Sequence, residues 1–164
     1  MNNSPVVILV DPNIIVKSRI KAILASQDVK IFEAINRHEV LSILSKSNYN
    51  VALVITEIEI STKNSFDGVS LIKLIKKMSS SIPVVVLTSI CKKEVITKCL
   101  HEGIADYILK PFEDDVITFG VHFRLEVGAG PAPIGSFCII VFLMLMAKSI
   151  RYTSKGVDIP VFSN

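Results

Sequence analysis

Apolar residues come in short, evenly spaced bursts from Pro5 to Glu126, and the bursts alternate between two periods. Val6-Val7-Ile8-Leu9-Val10 is a continuous apolar run, as expected of a strand covered on both faces. Asn13 can cap a following helix in which Val16, Ile20, Ile23 and Leu24 fall on one side. Lys30 to Ala34 reads as a second strand, and Arg37 to Lys46 as a helix with Val40, Leu41 and Leu44 inward. Val51 to Thr56 is a third strand, again almost wholly apolar. The polar stretch Ser61 to Ser65 leads to Asp67-Gly68 and a helix that uses Val69, Ile72 and Ile75. Pro83 opens a fourth strand, Val84 to Thr88. The next helix carries Val95, Ile96, Cys99 and Leu100 at helical spacing and stops near Gly103. Asp106 to Leu109 is the fifth strand, and Glu113 to Glu126 the last helix.

Five strands alternating with five helices imply an α/β fold, a parallel sheet sandwiched between two helical layers. Chemistry in such sheets sits beyond the carboxyl ends of the strands. Polar residues do gather there: Asp11 follows the first strand, Glu57 the third, while Thr88 ends the fourth and Lys110 follows the fifth. Composition narrows the function classes. Half of the 164 residues are hydrophobic and a fifth are charged, which suits a globular chain. A net charge of +3, dispersed along the sequence, gives no footprint for nucleic acid. Cys91, Cys99 and Cys138 form no CxxC pair, and His38, His101 and His122 share no ligand spacing. Reduced thiols of a cytoplasmic protein are expected. Asn2, Asn3 and Ser4 show no basic leader pattern.

The strand-end residues, in this order, resemble the receiver domain of bacterial and archaeal response regulators. The strongest match is Pro83-Val-Val-Val-Leu-Thr88-Ser89 followed by Glu102-Gly103-Ile-Ala-Asp106-Tyr107-Ile-Leu-Lys110-Pro111-Phe112. Val10-Asp11-Pro12-Asn13 resembles the family's acidic turn, and Phe66-Asp67-Gly68 its Met-Asp-Gly. The resemblance covers residues 5–126 and implies a flavodoxin-like (βα)5 sandwich with strand order 2-1-3-4-5. It implies a signalling module of a two-component phosphorelay and not an enzyme. In the family, a histidine kinase or phosphotransfer protein donates a phosphoryl group to an aspartate after the third strand. Magnesium, the lysine and a backbone amide neutralise the transferring charge. The hydroxyl of Thr88 would then move toward the phosphate and Tyr107 would act as the switch aromatic. The surface of the fourth helix, fifth strand and fifth helix would thereby change for a downstream partner. The family's Lys-Pro bond is typically cis, which would apply to Lys110-Pro111.

Two departures qualify that expectation. The acceptor position carries Glu57, within Val54-Ile55-Thr56-Glu57-Ile58-Glu59, where the family has aspartate. Its carboxylate stands one methylene further out, and a misplacement of about 1 Å can cost about 10²-fold in rate. Lys110 could pair with it directly, as in a permanently half-activated receiver. Pro12 replaces the family's second acid, so the metal set shrinks to Asp11, Glu57 and the backbone carbonyl of Glu59. Magnesium is therefore expected to bind weakly at most. Impaired phosphorylation is the leading expectation; the alternative is a working phosphoacceptor that uses Glu57 with magnesium. A flavin- or nucleotide-binding enzyme on the same fold fits poorly, because Asp11-Pro12-Asn13-Ile14 is not a glycine-rich phosphate loop.

Composition changes after Glu126, so residues 127–164 read as a hydrophobic C-terminal extension. Val127 to Ala147 lacks any charge, and Lys148, Arg151 and Lys155 follow. That pattern meets the nominal criterion for a membrane helix, yet prolines and glycines crowd its first third and residues 134–147 are short of the roughly 20 needed. Membrane contact through 134–147, a buried or partner-covered helix, a hydrophobic hairpin element and a non-native reading frame all stay open. No helix-turn-helix pattern supports a DNA-binding output.

Overall fold

The strands β1 (Val6–Val10), β2 (Lys30–Ala34), β3 (Val51–Thr56), β4 (Val84–Thr88) and β5 (Asp106–Leu109) form one sheet in the order β2-β1-β3-β4-β5. Every neighbouring pair is parallel. The helices are α1 (Ile14–Ile23), α2 (Arg37–Leu44), α3 (Asp67–Met78), α4 (Lys93–His101) and α5 (Asp114–Val127). The flavodoxin-like arrangement expected from the alternating pattern is thus present. The computed structural model describes residues 4–46, 49–60, 67–127, 151–153 and 156–158.

Burial follows the pattern that predicted the strands. All five residues of β1 and all five of β4 are buried, as central parallel strands require. The edge strand β2 buries Ala34 but leaves Lys30 exposed. On one side of the sheet, Val7, Leu9, Leu53, Ile55, Val85 and Leu87 pack with Ile20 of α1 and Ile117 and Val121 of α5. The alternate strand positions Ile8, Val10, Val54, Val84 and Val86 are buried as well, and alternation turns them to the other face. Val40 of α2, Leu71, Ile72 and Ile75 of α3, and Val95 and Cys99 of α4 are the buried hydrophobic side chains that these three helices contribute.

Three details differ from the sequence reading. The second helix stops at Leu44, where Ser45 closes the last turn through its N–H to Leu41. The fifth helix begins at Asp114, one residue later than expected. Leu100 is exposed, because the nine-residue α4 buries the narrow i, i+4 stripe Val95 and Cys99, and Leu100 lies about 100° round the helix from Cys99.

The chain divides into two compact units, Met1–Gly130 and Pro131–Asn164. In the second unit, β6 (Arg151–Thr153) pairs antiparallel with β7 (Gly156–Asp158). The apolar residues 134–147 and Cys138 lie outside the described residues, as do residues 61–66. Among the described residues no helix is long and apolar enough to cross a membrane.

Candidate functional site

Asp11 is the first residue past β1, and it is buried. Its Oδ1 accepts from the Asn13 N–H at 2.7 Å and so closes the turn around Pro12. The helix cap itself is Asn13, whose side-chain oxygen accepts from the N–H groups of Ile15 and Val16. Asp11 is therefore left with its second oxygen, Oδ2, pointing to other chemistry.

Glu57 takes the matching place after β3. Its backbone N–H donates to Val10 O at 2.8 Å, which extends the β1–β3 ladder by one residue. Oε1 folds back onto the chain and accepts from the N–H of Ile58 at 2.7 Å and of Glu59 at 3.4 Å. The Thr56 hydroxyl donates to Glu57 O at 2.9 Å. The start of α3 then presses on the same turn: Gly68 N–H donates to Ile58 O at 3.0 Å. A Cβ on Gly68 would stand 2.5 Å from Glu57 O, so glycine is required where helix meets strand end.

Lys110 completes the arrangement from β5. Its N–H donates to Thr88 O at 2.8 Å, and its bond to Pro111 is cis. Its Nζ stands 2.6 Å from Asp11 Oδ2 and 2.6 Å from Glu57 Oε2. The three side chains are 15%, 3% and 11% exposed respectively. One ammonium thus lies between two carboxylates, and the charge-assisted bonds are shorter than neutral ones. Without it the two anions would repel in a site largely closed to water.

Thr88 and Tyr107 form a second grouping. Thr88 is fully buried, and its Oγ1 accepts from the Ile90 N–H at 3.3 Å. The buried Tyr107 donates its hydroxyl to Ile90 O at 2.8 Å. Both side chains therefore grip one loop residue, Ile90, that sequence reasoning did not single out. Burial pushes the Tyr107 phenol well above its ordinary 10, so it stays a hydrogen-bond donor. Burial likewise pushes the Cys99 thiol up to about 11, which leaves it unreactive.

The donor set does not suit magnesium in this arrangement. Each carboxylate oxygen of Asp11 and Glu57 already accepts a hydrogen bond, and Pro12 offers no ligand atom. Among the described residues no group of three or more His, Cys, Asp or Glu side chains is placed to hold a metal ion. Near-octahedral oxygen coordination would have to displace the lysine. Glu59 is exposed, and its N–H faces Glu57.

Arg19 was also not visible as a site neighbour in the sequence. From α1 its guanidinium donates to Asp114 and to Phe112 O, and it lies 4.5 Å from the centre of the Phe112 ring. These bonds tie the segment after Lys110-Pro111 to α1 across more than ninety residues of sequence. Nothing in the local sequence signals such a pairing.

The Response regulator receiver domain family profile matches residues 7–121. The Two-component response regulator ORR5 of Oryza sativa subsp. japonica is 30% identical over 117 residues, covering 70% of this chain and 84% of that protein. The Two-component response regulator-like APRR9 of Arabidopsis thaliana is 26% identical over 107 residues, or 64% of this chain, but only 22% of that longer protein is spanned. Among solved structures, the signal receiver domain of an HD domain-containing protein from Pseudomonas fluorescens Pf-5 superposes with a TM-score of 0.68 and 25% identity. That superposition covers 75% of this chain and 95% of the other.

Proposed function

The chain belongs to the response regulator receiver domain family, and from that premise we propose that its acceptor site is held by an internal ion triad in place of an exchangeable phosphoryl group. Receiver domains of two-component response regulators are signalling modules that meet histidine kinases or phosphotransfer proteins on one side and effectors on the other. Here the module is the segment 5–126, followed by the C-terminal extension 127–164.

The observation that carries this reading is Lys110 Nζ at 2.6 Å from both Asp11 and Glu57. A phosphoryl group arriving at Glu57 must pull the lysine away from a mostly buried partner. Breaking such a pair costs about 3 kcal/mol or more. The longer glutamate arm also moves the nucleophile off the line of transfer, and positioning supplies most of the catalysis in this chemistry. Magnesium would have Asp11, Glu57 and the Glu59 carbonyl to bind, and it competes with the lysine for the first two, so its affinity is low. With Lys110 already drawn to an extended carboxylate, and Tyr107 already turned inward onto Ile90, the domain resembles a constitutively engaged receiver. Its contacts then run through α4, β5 and α5, where Leu100 and Phe119 are exposed. A reducing cytoplasmic setting suits the free thiols of Cys91 and Cys99.

Radiolabelled acetyl phosphate with magnesium should leave the wild-type chain unlabelled. The double variant Glu57→Asp with Pro12→Asp should gain label, because it shortens the arm and restores a ligand. Robust labelling of the wild type that disappears in Glu57→Ala would sink the proposal and establish Glu57 as a working acceptor.

A further inference from the structure

Two of the three charges in the site triad are set by the same helix. Asp11 is fixed at the front of α1, because its Oδ1 accepts from the Asn13 N–H at 2.7 Å and Asn13 then caps the helix. Lys110 is reached from further along α1, through Arg19. The Arg19 Nη2 donates to Phe112 O at 2.9 Å and to Asp114 Oδ1 at 2.7 Å, and Nε donates to the same Oδ1 at 3.0 Å. The guanidinium carbon lies 4.5 Å from the centre of the Phe112 ring, and Phe112 is buried in the core. A closed ring of contacts results. It runs from Asp11 along α1 to Arg19, Phe112 and Lys110, and back to Asp11 through the 2.6 Å bond of Nζ to Oδ2.

The connection from Lys110 to α5 has little other support. Lys110 itself is anchored to β4 by its N–H, which donates to Thr88 O at 2.8 Å. Pro111 has no N–H to give. Among the described residues, Arg19 makes the one hydrogen bond that joins the main chain of 111–113 to another element. Glu57 depends on none of this, because its own N–H donates to Val10 O and the Gly68 N–H closes the turn behind it. Arg19 and Asp114 are 45% and 64% exposed, so their ion pair adds little to stability. What the contact supplies is geometry. A planar fork meets two oxygens and a ring face at once, which a lysine cannot do.

We infer that Arg19 is a positioning residue for Lys110: by clamping the chain at Phe112 and Asp114 against α1, it keeps Nζ within bonding distance of Asp11. Its effect falls on the Asp11 side of the triad, since Glu57 is fixed from β3. This role rests on the ion triad proposed for the acceptor site, but it holds whether or not Glu57 accepts a phosphoryl group.

The test follows the Lys110 ammonium by NMR in the ¹⁵N-labelled full chain, with its signal assigned by its disappearance in Lys110→Arg. Wild type should give a separate Lys110 Nζ resonance with slow proton exchange, as an ammonium held by two carboxylates does. In Arg19→Ala this resonance should move toward those of the exposed lysines. Its protons should exchange about fivefold faster, the opening that loss of a single hydrogen bond allows. Arg19→Lys keeps the charge but not the fork, so it should behave like Arg19→Ala. Arg37→Ala removes an exposed cation from α2 and should leave the resonance unchanged. Circular dichroism melts will show that each variant is folded at the temperature of measurement. An unmoved Lys110 resonance in Arg19→Ala overturns the inference, and so does full recovery in Arg19→Lys or an equal shift in Arg37→Ala. A wild type without such a resonance overturns the triad and this inference together. Labelling of wild type by acetyl phosphate overturns the reading of the acceptor site alone.

Discussion

Two ion triads stand on the same sheet and are built as opposites. At the carboxyl ends of β1, β3 and β5, Lys110 lies between the carboxylates of Asp11 and Glu57. At the outer edge, Glu33 of β2 lies between the ammoniums of Lys17 and Lys21 of α1. The first has an excess negative charge and is nearly closed to water; the second has an excess positive charge and is open on one side only, with Lys21 42% exposed and Lys17 7%. Their partners also differ in reach. Lys17 and Lys21 are neighbours one turn apart on a helix, and Glu33 is the residue that offsets their repulsion. The Lys110 bonds span 99 and 53 residues of sequence. What separates a brace from a candidate reaction site is therefore not the kind of charges but where the strands put them. At an edge, ions hold a helix to a strand; beyond the strand ends, they line the place where ligands are met.

Removing the central cation should have the largest effect. Lys110→Met leaves two carboxylates facing each other in a mostly buried site, and urea denaturation should show a loss of about 3 kcal/mol. A loss of about 2 kcal/mol or less would mean that the two triads are energetically alike.

A smaller effect is expected from the backbone under Glu57. Gly68→Ala places a methyl group 2.5 Å from Glu57 O and close to Ile58. Overpacking of that kind costs about 1–3 kcal/mol. The thermal midpoint should fall, and the amide resonances of Ile58 and Glu59 should shift with it. An unchanged midpoint would show that the α3 start can move without disturbing the site triad.

The edge triad should show the smallest change, and a pH dependence of definite sign. The hydrogen bond from Lys21, and then that from Lys17, holds Glu33 below its ordinary 4.5. As pH falls, the unfolded chain takes up the proton first. The brace therefore stabilises the fold above pH 4.5 and is lost as pH drops through the folded value. Glu33→Gln should cost about 1–2 kcal/mol at neutral pH, because Lys21 is exposed but the buried Lys17 loses its anionic partner. The gap to wild type should close on acidification; a gap independent of pH would assign the loss to packing instead of charge.

Much of this molecule is legible in the order of its residues. The runs at Val6–Val10 and Val84–Thr88 announce strands buried on both faces, and the structure keeps those bounds. Asn13 announces the cap of α1 and performs it. Asp11, Glu57, Thr88 and Lys110 follow from one rule, that chemistry collects after parallel strands. Period and position suffice for these because they depend on neighbours in sequence. Leu100 misleads for the same reason: helical spacing made it a core residue, but the width of the buried stripe on α4 depends on what packs there.

The pairings had to wait for the tertiary structure. Sequence shows a glutamate where an aspartate is expected and a proline where a second acid is expected. It does not show that one ammonium would stand 2.6 Å from both remaining carboxylates. Nor does it show that Thr88 and Tyr107 converge on Ile90, or that Arg19 reaches Phe112 and Asp114. Local propensity is decided by adjacent residues, whereas a charge-assisted bond is decided at about 3 Å between side chains. Only the sheet order and register bring those side chains within that distance.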